Sequence, residues 1–125
     1  MSHRYQDLIA RQKAQRLATE IYRATGNFPK TETYGLTSQL RRAAVSVPSN
    51  IAEGQGRLTK GEFCPFLGVA RGSLLELETQ LAIALELEMV EEIEFKSLEE
   101  VSEEVCRILN GLVDSMQALR AGAVN

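Results

Sequence analysis

Apolar residues recur along most of the chain at alternating spacings of three and four, the period of a helix with one buried stripe. A first helix is predicted from about Tyr5 to Thr25, with Ala10, Ala14, Leu17, Ile21 and Ala24 as its stripe. Gly26-Asn27 stops it, and Phe28-Pro29 opens an irregular crossing. A second helix is predicted from Leu36-Thr37 to about Gly54, buried along Leu40, Ala44, Val47 and Ile51. Pro48 falls inside it, where it deletes one backbone hydrogen bond and crowds the carbonyl of Ala44. Ile51 keeps the phase beyond the proline, so the reading is a helix kinked near Pro48, with a full break as the alternative.

A third helix starts after Gly56-Arg57-Leu58, where Thr59 and Glu62 have the spacing of a capping box. Phe63, Leu67, Ala70, Leu74, Leu77, Leu81 and Ala84 then hold a heptad rhythm. The last helix begins between Glu91 and Ser97, with Ser97 and Glu100 as a second capping box, and carries Leu98, Val101, Val105, Ile108, Leu112 and Leu119. No segment alternates with period two, so no sheet is expected. Short connections between long helices predict an all-α, antiparallel, up-down-up-down four-helix bundle, one domain over residues 1–125. Val45, Pro48 and Ala52 form a second apolar face on helix two, while Leu109, Val113 and Met116 broaden the stripe of helix four. A lone bundle needs one apolar face per helix. Val45, Pro48, Ala52, Val113 and Met116 are therefore read as contacts between subunits of a homo-oligomer.

The chain has 125 residues, 44% apolar and 25% charged, enough for one core without disulfides or metals. Cys64 and Cys106 lie in largely apolar helical segments; their spacing leaves a disulfide open, and two reduced core residues in a cytosol is the preferred reading. The opening MSHRYQDLIARQ has no apolar run of a signal peptide, and no stretch reaches the length of a membrane span, so a cytoplasmic protein without a membrane partner is expected. Charge divides the chain unevenly. Residues 1–62 hold ten Lys/Arg against five Asp/Glu, and residues 63–125 hold four against twelve. Either a polarised surface or ion pairing between helices follows, and composition does not choose.

Catalytic and metal-binding patterns are missing from the sequence. The one histidine, His3, leaves no Glu-x-x-His pair for a di-iron bundle, no Ser-His or Cys-His nucleophile and no histidine zinc site. Gly54-Gln55-Gly56-Arg57 lacks the Gly-Lys-Ser/Thr ending of a phosphate loop and reads as a helix end and turn. The expectation is a protein without enzymatic activity, cofactor, metal or small-molecule substrate.

One constellation stands apart. On helix two Arg42, Ser46, Asn50, Glu53 and Arg57 make a polar stripe beside the core stripe, and Ser73, Glu76 and Gln80 make a shorter one on helix three. Glu53 and Arg57 have the favourable acid-first i,i+4 order, and Asn50 is placed to bond a carbonyl freed by Pro48. Two readings stand, an internal network that fixes helix register, which is preferred, and a ligand site. The basic first half supplies a candidate surface for weak binding of RNA or DNA. Its residues are Arg16, Arg23, Arg41, Arg42, Arg57 and Lys60, with Arg41 foremost because it shares the side of helix two turned from the core stripe. The rival is a structural adaptor whose homo-oligomer presents a protein-binding surface.

The run Phe28-Pro29, Glu32, Tyr34-Gly35-Leu36-Thr37, Gln39-Leu40-Arg41-Arg42-Ala43-Ala44, Ser46-Val47-Pro48, Asn50-Ile51-Ala52-Glu53-Gly54 and Gly56-Arg57 is distinctive. It continues through Glu62-Phe63, Phe66-Leu67, Ala70-Arg71-Gly72-Ser73-Leu74 and Glu76-Leu77-Glu78-Thr79. The sequence resembles, from about Asp7-Leu8 to Leu112, the four-helix-bundle family of proteins encoded in intervening sequences of 23S ribosomal RNA genes. Relatives of that family include the accessory variability protein of diversity-generating retroelements. The resemblance implies a homopentameric barrel of four-helix bundles, no established enzymatic activity, and a link to nucleic acid. The sequence departs from the family's pattern at Glu86-Leu87-Glu88-Met89-Val90-Glu91-Glu92, where a glycine-containing turn is expected.

Overall fold

A computed structural model describes the backbone of residues 2–57 and 59–124, and the side chains of residues 5, 7–57, 59 and 61–117. Its elements are α1 (Ser2–Thr25), α2 (Leu36–Gln55), α3 (Lys60–Glu86) and α4 (Glu92–Val124), with a short 3-10 turn, Lys30–Glu32, between the first two. The described residues include no strand. The helices form a square: α1 touches α2, α2 touches α3, α3 touches α4 and α4 touches α1, while neither diagonal pair meets among the described residues. Contacts run in opposite order along neighbouring helices. Arg11 meets Gln55 while Thr25 meets Arg41; Ser46 meets Ser73 while Gly54 lies against Phe63; Arg71 meets Asn110 while Glu78 meets Ser102.

The stripes read on α1, α2 and α3 are all buried, and with Ala18, Ala43 and the residues of α4 they form one apolar cluster. α2 runs unbroken through Pro48, which removes the full break as an alternative. One half of the expected capping box starts α3: the Thr59 hydroxyl accepts from the Glu62 amide at 3.2 Å. Leu58 and the side chains of His3, Lys60 and Leu119 lie outside the described residues.

α4 differs from its sequence reading twice. It begins at Glu92, within the expected range from Glu91 to Ser97, but the capping box read at Ser97 and Glu100 does not mark its start: Ser97 is an exposed residue within the helix. The early start has a cause: the Phe95 amide donates to the Glu91 carbonyl at 2.8 Å, and Glu92 and Glu94 place negative charge at the positive end of the helix dipole. The buried face is also rotated. Leu98, Val105, Leu109, Leu112, Val113 and Met116 are buried, whereas Val101 and Ile108 flank the core. Val113 and Met116, exposed by only 6% and 1%, fill the bundle's own core and offer no surface to a neighbouring subunit.

The α3–α4 connection explains how the chain turns without the expected glycine. The Met89 amide bonds the Ala84 carbonyl at 2.9 Å and the Glu88 amide bonds that of Leu85 at 3.0 Å, which closes the end of α3 in a Schellman motif. Glu88 takes the left-handed position, with φ 59°. That conformation costs an L side chain about 1 kcal/mol or more and glycine little. Glu88→Gly is therefore expected to raise stability by about 1 kcal/mol, read as a higher urea midpoint. An unchanged midpoint would mean that contacts of the glutamate side chain offset the strain.

Candidate functional site

Helical spacing sets the two polar stripes side by side, because α2 presents Gln39, Ser46 and Asn50 to α3, and α3 returns Ser73, Glu76 and Gln80. The Ser46 and Ser73 hydroxyls lie 2.8 Å apart. Asn50 Nδ2 donates to the Ser46 carbonyl at 2.8 Å and to Ser46 Oγ at 3.0 Å. Gln80 Nε2 donates to Glu76 Oε1 at 3.1 Å and reaches Gln39 Oε1 at 3.5 Å. Gln80 is buried, and its Oε1 has no partner among the described residues. Above this network lies an open groove of about 420 Å³, lined by Gln39, Arg42, Ala43, Ser46, Ser73 and Glu76.

The structure thus brings together Ser46, Asn50, Ser73 and Glu76 and leaves Glu53 outside them, exposed and without a bond to Arg57. The expected Glu53–Arg57 pair fails because α2 ends at Gln55; Arg57 instead lies 4.6 Å over the ring of Phe66. Asn50 serves the carbonyl of Ser46, not the Ala44 carbonyl beside Pro48. Its hydrogen bonds are half-buried, so Asn50→Ala is expected to lower stability by about 1 kcal/mol. Chemical denaturation would check this; no change in midpoint would show that the bonds to Ser46 are matched by water in the unfolded chain.

Of the six cations read as a basic surface, the five described ones are divided between different sides of the bundle. Arg41 is half-buried and turned to α1, where Nε donates to Thr25 Oγ1 at 2.8 Å, Nη2 to the Tyr22 carbonyl at 3.3 Å, and the guanidinium lies 4.6 Å over the Tyr22 ring. Its position is explained by the C-terminal carbonyls of α1, which attract a cation. Arg23 pairs with Glu20 at 3.1 Å. Lys13 pairs with Glu104 of α4 at 2.7 Å. That hydrogen bond holds the Glu104 carboxyl below the ordinary carboxylate range against the opposing effect of desolvation, helped by the charges of Lys13, Arg107 and Arg16. Arg16 therefore belongs to the α1–α4 side, whereas Arg42 lines the α2–α3 groove and Arg57 lies over Phe66 of α3. The Lys60 side chain lies outside the described residues.

Of the apolar residues read as subunit contacts, Val45 and Ala52 are exposed and Pro48 is half-buried. The larger exposed apolar surface was missed, and it belongs to α3. Pro65, Gly68, Val69, Gly72, Leu75, Thr79, Ala82 and Ile83 are exposed, and between Phe63 and Leu85 only Arg71 and Glu76 add exposed charge. Val69, Leu75 and Ile83 are 53%, 51% and 42% exposed. A side chain at Gly68 or Gly72 would meet nothing within 4 Å. The signal was in the sequence: beside its core stripe this helix is apolar nearly all round, the mark of a helix covered on both sides.

Among the described residues no group of three His, Cys, Asp or Glu is placed to hold a metal, and no helix is long and apolar enough to cross a membrane. The sequence pattern of the family described as 23S rRNA-intervening sequence protein matches residues 6–111, through all four helices. The chain belongs to that family. The matched residues include Ser46, Ser73 and Glu76, which line the α2–α3 groove, and Asn50, which bonds Ser46. Its fold is similar to the 1.70 Å crystal structure of a protein with unknown function from the S23 ribosomal protein family of Bacteroides thetaiotaomicron. The TM-score is 0.79 and the identity 20%, over 87% of this chain and 98% of that one. No curated protein matches the chain.

Proposed function

We propose that this protein works by assembling with itself, as a non-catalytic bundle whose outer α3 face meets a second copy. The exposed, nearly uncharged strip along α3 carries this reading. Burying an apolar side chain such as Leu75 gains about 1.5–3 kcal/mol, so a strip of several is costly to leave in water. A second copy is the partner because the same chain carries a matching hollow. The opposite wall, between α1 and α4, has an apolar groove of about 350 Å³ lined by Ile9, Ile108, Gly111, Leu112 and Ser115. Five subunits is the number that the family resemblance implies. Binding of RNA or DNA draws less support, because the candidate cations are divided between two walls and several are engaged within the bundle.

Light scattering on purified protein, with its 260/280 nm absorbance ratio, tests both readings. The wild type is expected to run at a multiple of 13.8 kDa, free of nucleic acid, and Leu75→Glu to run as a helical monomer. A monomeric wild type at micromolar concentration would overturn the assembly. Co-purifying nucleic acid that is shed with rising salt, and lost in Arg42→Glu, would favour the nucleic-acid reading instead.

A further inference from the structure

The polar network between α2 and α3 is incomplete at one atom. Gln80 is 6% exposed, and its Nε2 faces two acceptors, Glu76 Oε1 at 3.1 Å and Gln39 Oε1 at 3.5 Å. That fixes which way the carboxamide points, because the reversed group would set its oxygen against a carboxylate and a second carbonyl. Gln80 Oε1 is thereby left buried with no donor among the described residues. A buried carbonyl in this state is destabilising, and such atoms are rare in folded proteins unless something from outside completes them. Gln39 and Glu76 both line the α2–α3 groove, so three acceptor groups meet at one end of it.

Donors lie farther along the same groove. Arg42, one turn on from Gln39, is exposed and has no ion pair or hydrogen bond among the described residues. The Ser46 and Ser73 hydroxyls share one hydrogen bond, which uses one of their two protons and leaves the other for an acceptor. Arg42 and Glu76 cancel in charge, so the groove suits a ligand that is neutral overall and carries both signs.

We infer that the α2–α3 groove binds a small zwitterion of the amino-acid class. The ligand's ammonium donates to Gln80 Oε1, Gln39 Oε1 and Glu76, and its carboxylate accepts from the Arg42 guanidinium and the spare serine hydroxyl. An ammonium has three donors, one for each acceptor group, whereas a water molecule has too few. A guanidinium in turn offers a carboxylate two parallel bonds. The groove, of about 420 Å³, holds the two charged groups with room for a side chain. The site is complete in one chain and does not rest on the self-assembly proposed above.

Glycine is the minimal probe, since it has the two charged groups and nothing else. Titrated into the isotope-labelled full-length chain, it is expected to shift the side-chain amide signals of Gln80 and Gln39. The Kd is expected to be roughly millimolar, because the groove is open to water. Trimethylglycine keeps both charges but has no N–H, and is expected not to bind. Glu76→Gln and Arg42→Gln, at exposed positions, are each expected to weaken glycine at least tenfold. Gln80→Leu is expected to abolish binding while leaving the urea midpoint at or above the wild type's, because it removes the unmatched oxygen. If that variant fails to fold, the Glu76 and Arg42 variants still decide. No shift with glycine, or equal shifts with glycine and trimethylglycine, would overturn the site. Binding unchanged in Gln80→Leu would also overturn it, as would binding that appears only in Leu75→Glu, where assembly no longer covers the groove.

Discussion

Gly54→Ala is expected to destabilise the bundle by about 2 kcal/mol, although alanine is the better helix former. In an exposed helix interior the same change would gain up to about 1 kcal/mol. Here a Cβ would sit 2.3 Å from Cδ1 and 2.6 Å from Cε1 of the Phe63 ring, and 3.0 Å from Cβ of Phe66. Phe63 is itself buried, so its ring cannot swing aside into solvent. Either the ring leaves its rotamer or the end of α2 lifts from the start of α3, and both lose packing against Leu67 and Ile51 in the shared core. Urea denaturation followed by circular dichroism would read the loss as a lower midpoint with an unchanged slope. A midpoint at or above the wild type's would show that the two helices separate at little cost.

Arg41→Ala is the second large effect, a loss of about 2 kcal/mol. Three interactions end together: the bond to Thr25 Oγ1, the bond to the Tyr22 carbonyl, and the stacking on the Tyr22 ring. Hydrogen bonds to a charged donor contribute roughly 1.5–3 kcal/mol, and the exposed Tyr22 ring adds about 0.5–1 kcal/mol. Part of the first is returned, since the Thr25 hydroxyl keeps its own bond to the Ile21 carbonyl at 2.7 Å. Arg41→Lys should recover less than half, because an ammonium cannot reproduce the two-pronged guanidinium contact. If Arg41→Ala leaves the denaturation midpoint in place, the arginine is free for a ligand, and the basic-surface reading regains its foremost residue.

Local pattern made all four helices legible, and the buried faces of three of them. The stripes of α1, α2 and α3 are buried where periodicity placed them, because one helix face decides burial in a bundle and needs no knowledge of the neighbours. The start of α4 fell within its expected range, but the cap read at Ser97 did not, because the helix begins with glutamates at its positive end and not with a Ser, Thr, Asp or Asn side chain. Its buried face was misjudged by a fraction of a turn, which moved Val113 and Met116 from the core to a supposed interface. The site divides in the same way. Ser46, Asn50, Ser73 and Glu76 could be grouped from spacing within each helix, since two facing stripes must meet once α2 and α3 pair. Arg41 could not be placed so: its partners lie sixteen and nineteen residues back, on another helix. Nothing in the local pattern says that a cation on the flank of α2 will cap the end of α1.

The turn from α2 into α3 gives the chain an order of assembly in time. Only residues 56–59 separate the two helices, and Gly54, Ser46 and Gln39 find Phe63, Ser73 and Gln80 in ladder fashion from that turn outward. The entropy lost in closing so short a loop is small, and each later contact closes only slightly more chain than the one before. The pairing of α1 with α4 is the opposite case, a contact such as Lys13 to Glu104 that must wait until nearly the whole sequence exists. During synthesis the middle hairpin can therefore zip while α4 is still being made, presenting a half-built bundle in which the α4 side of α3, where Leu81 lies beside Phe95, stays open until the last helix arrives.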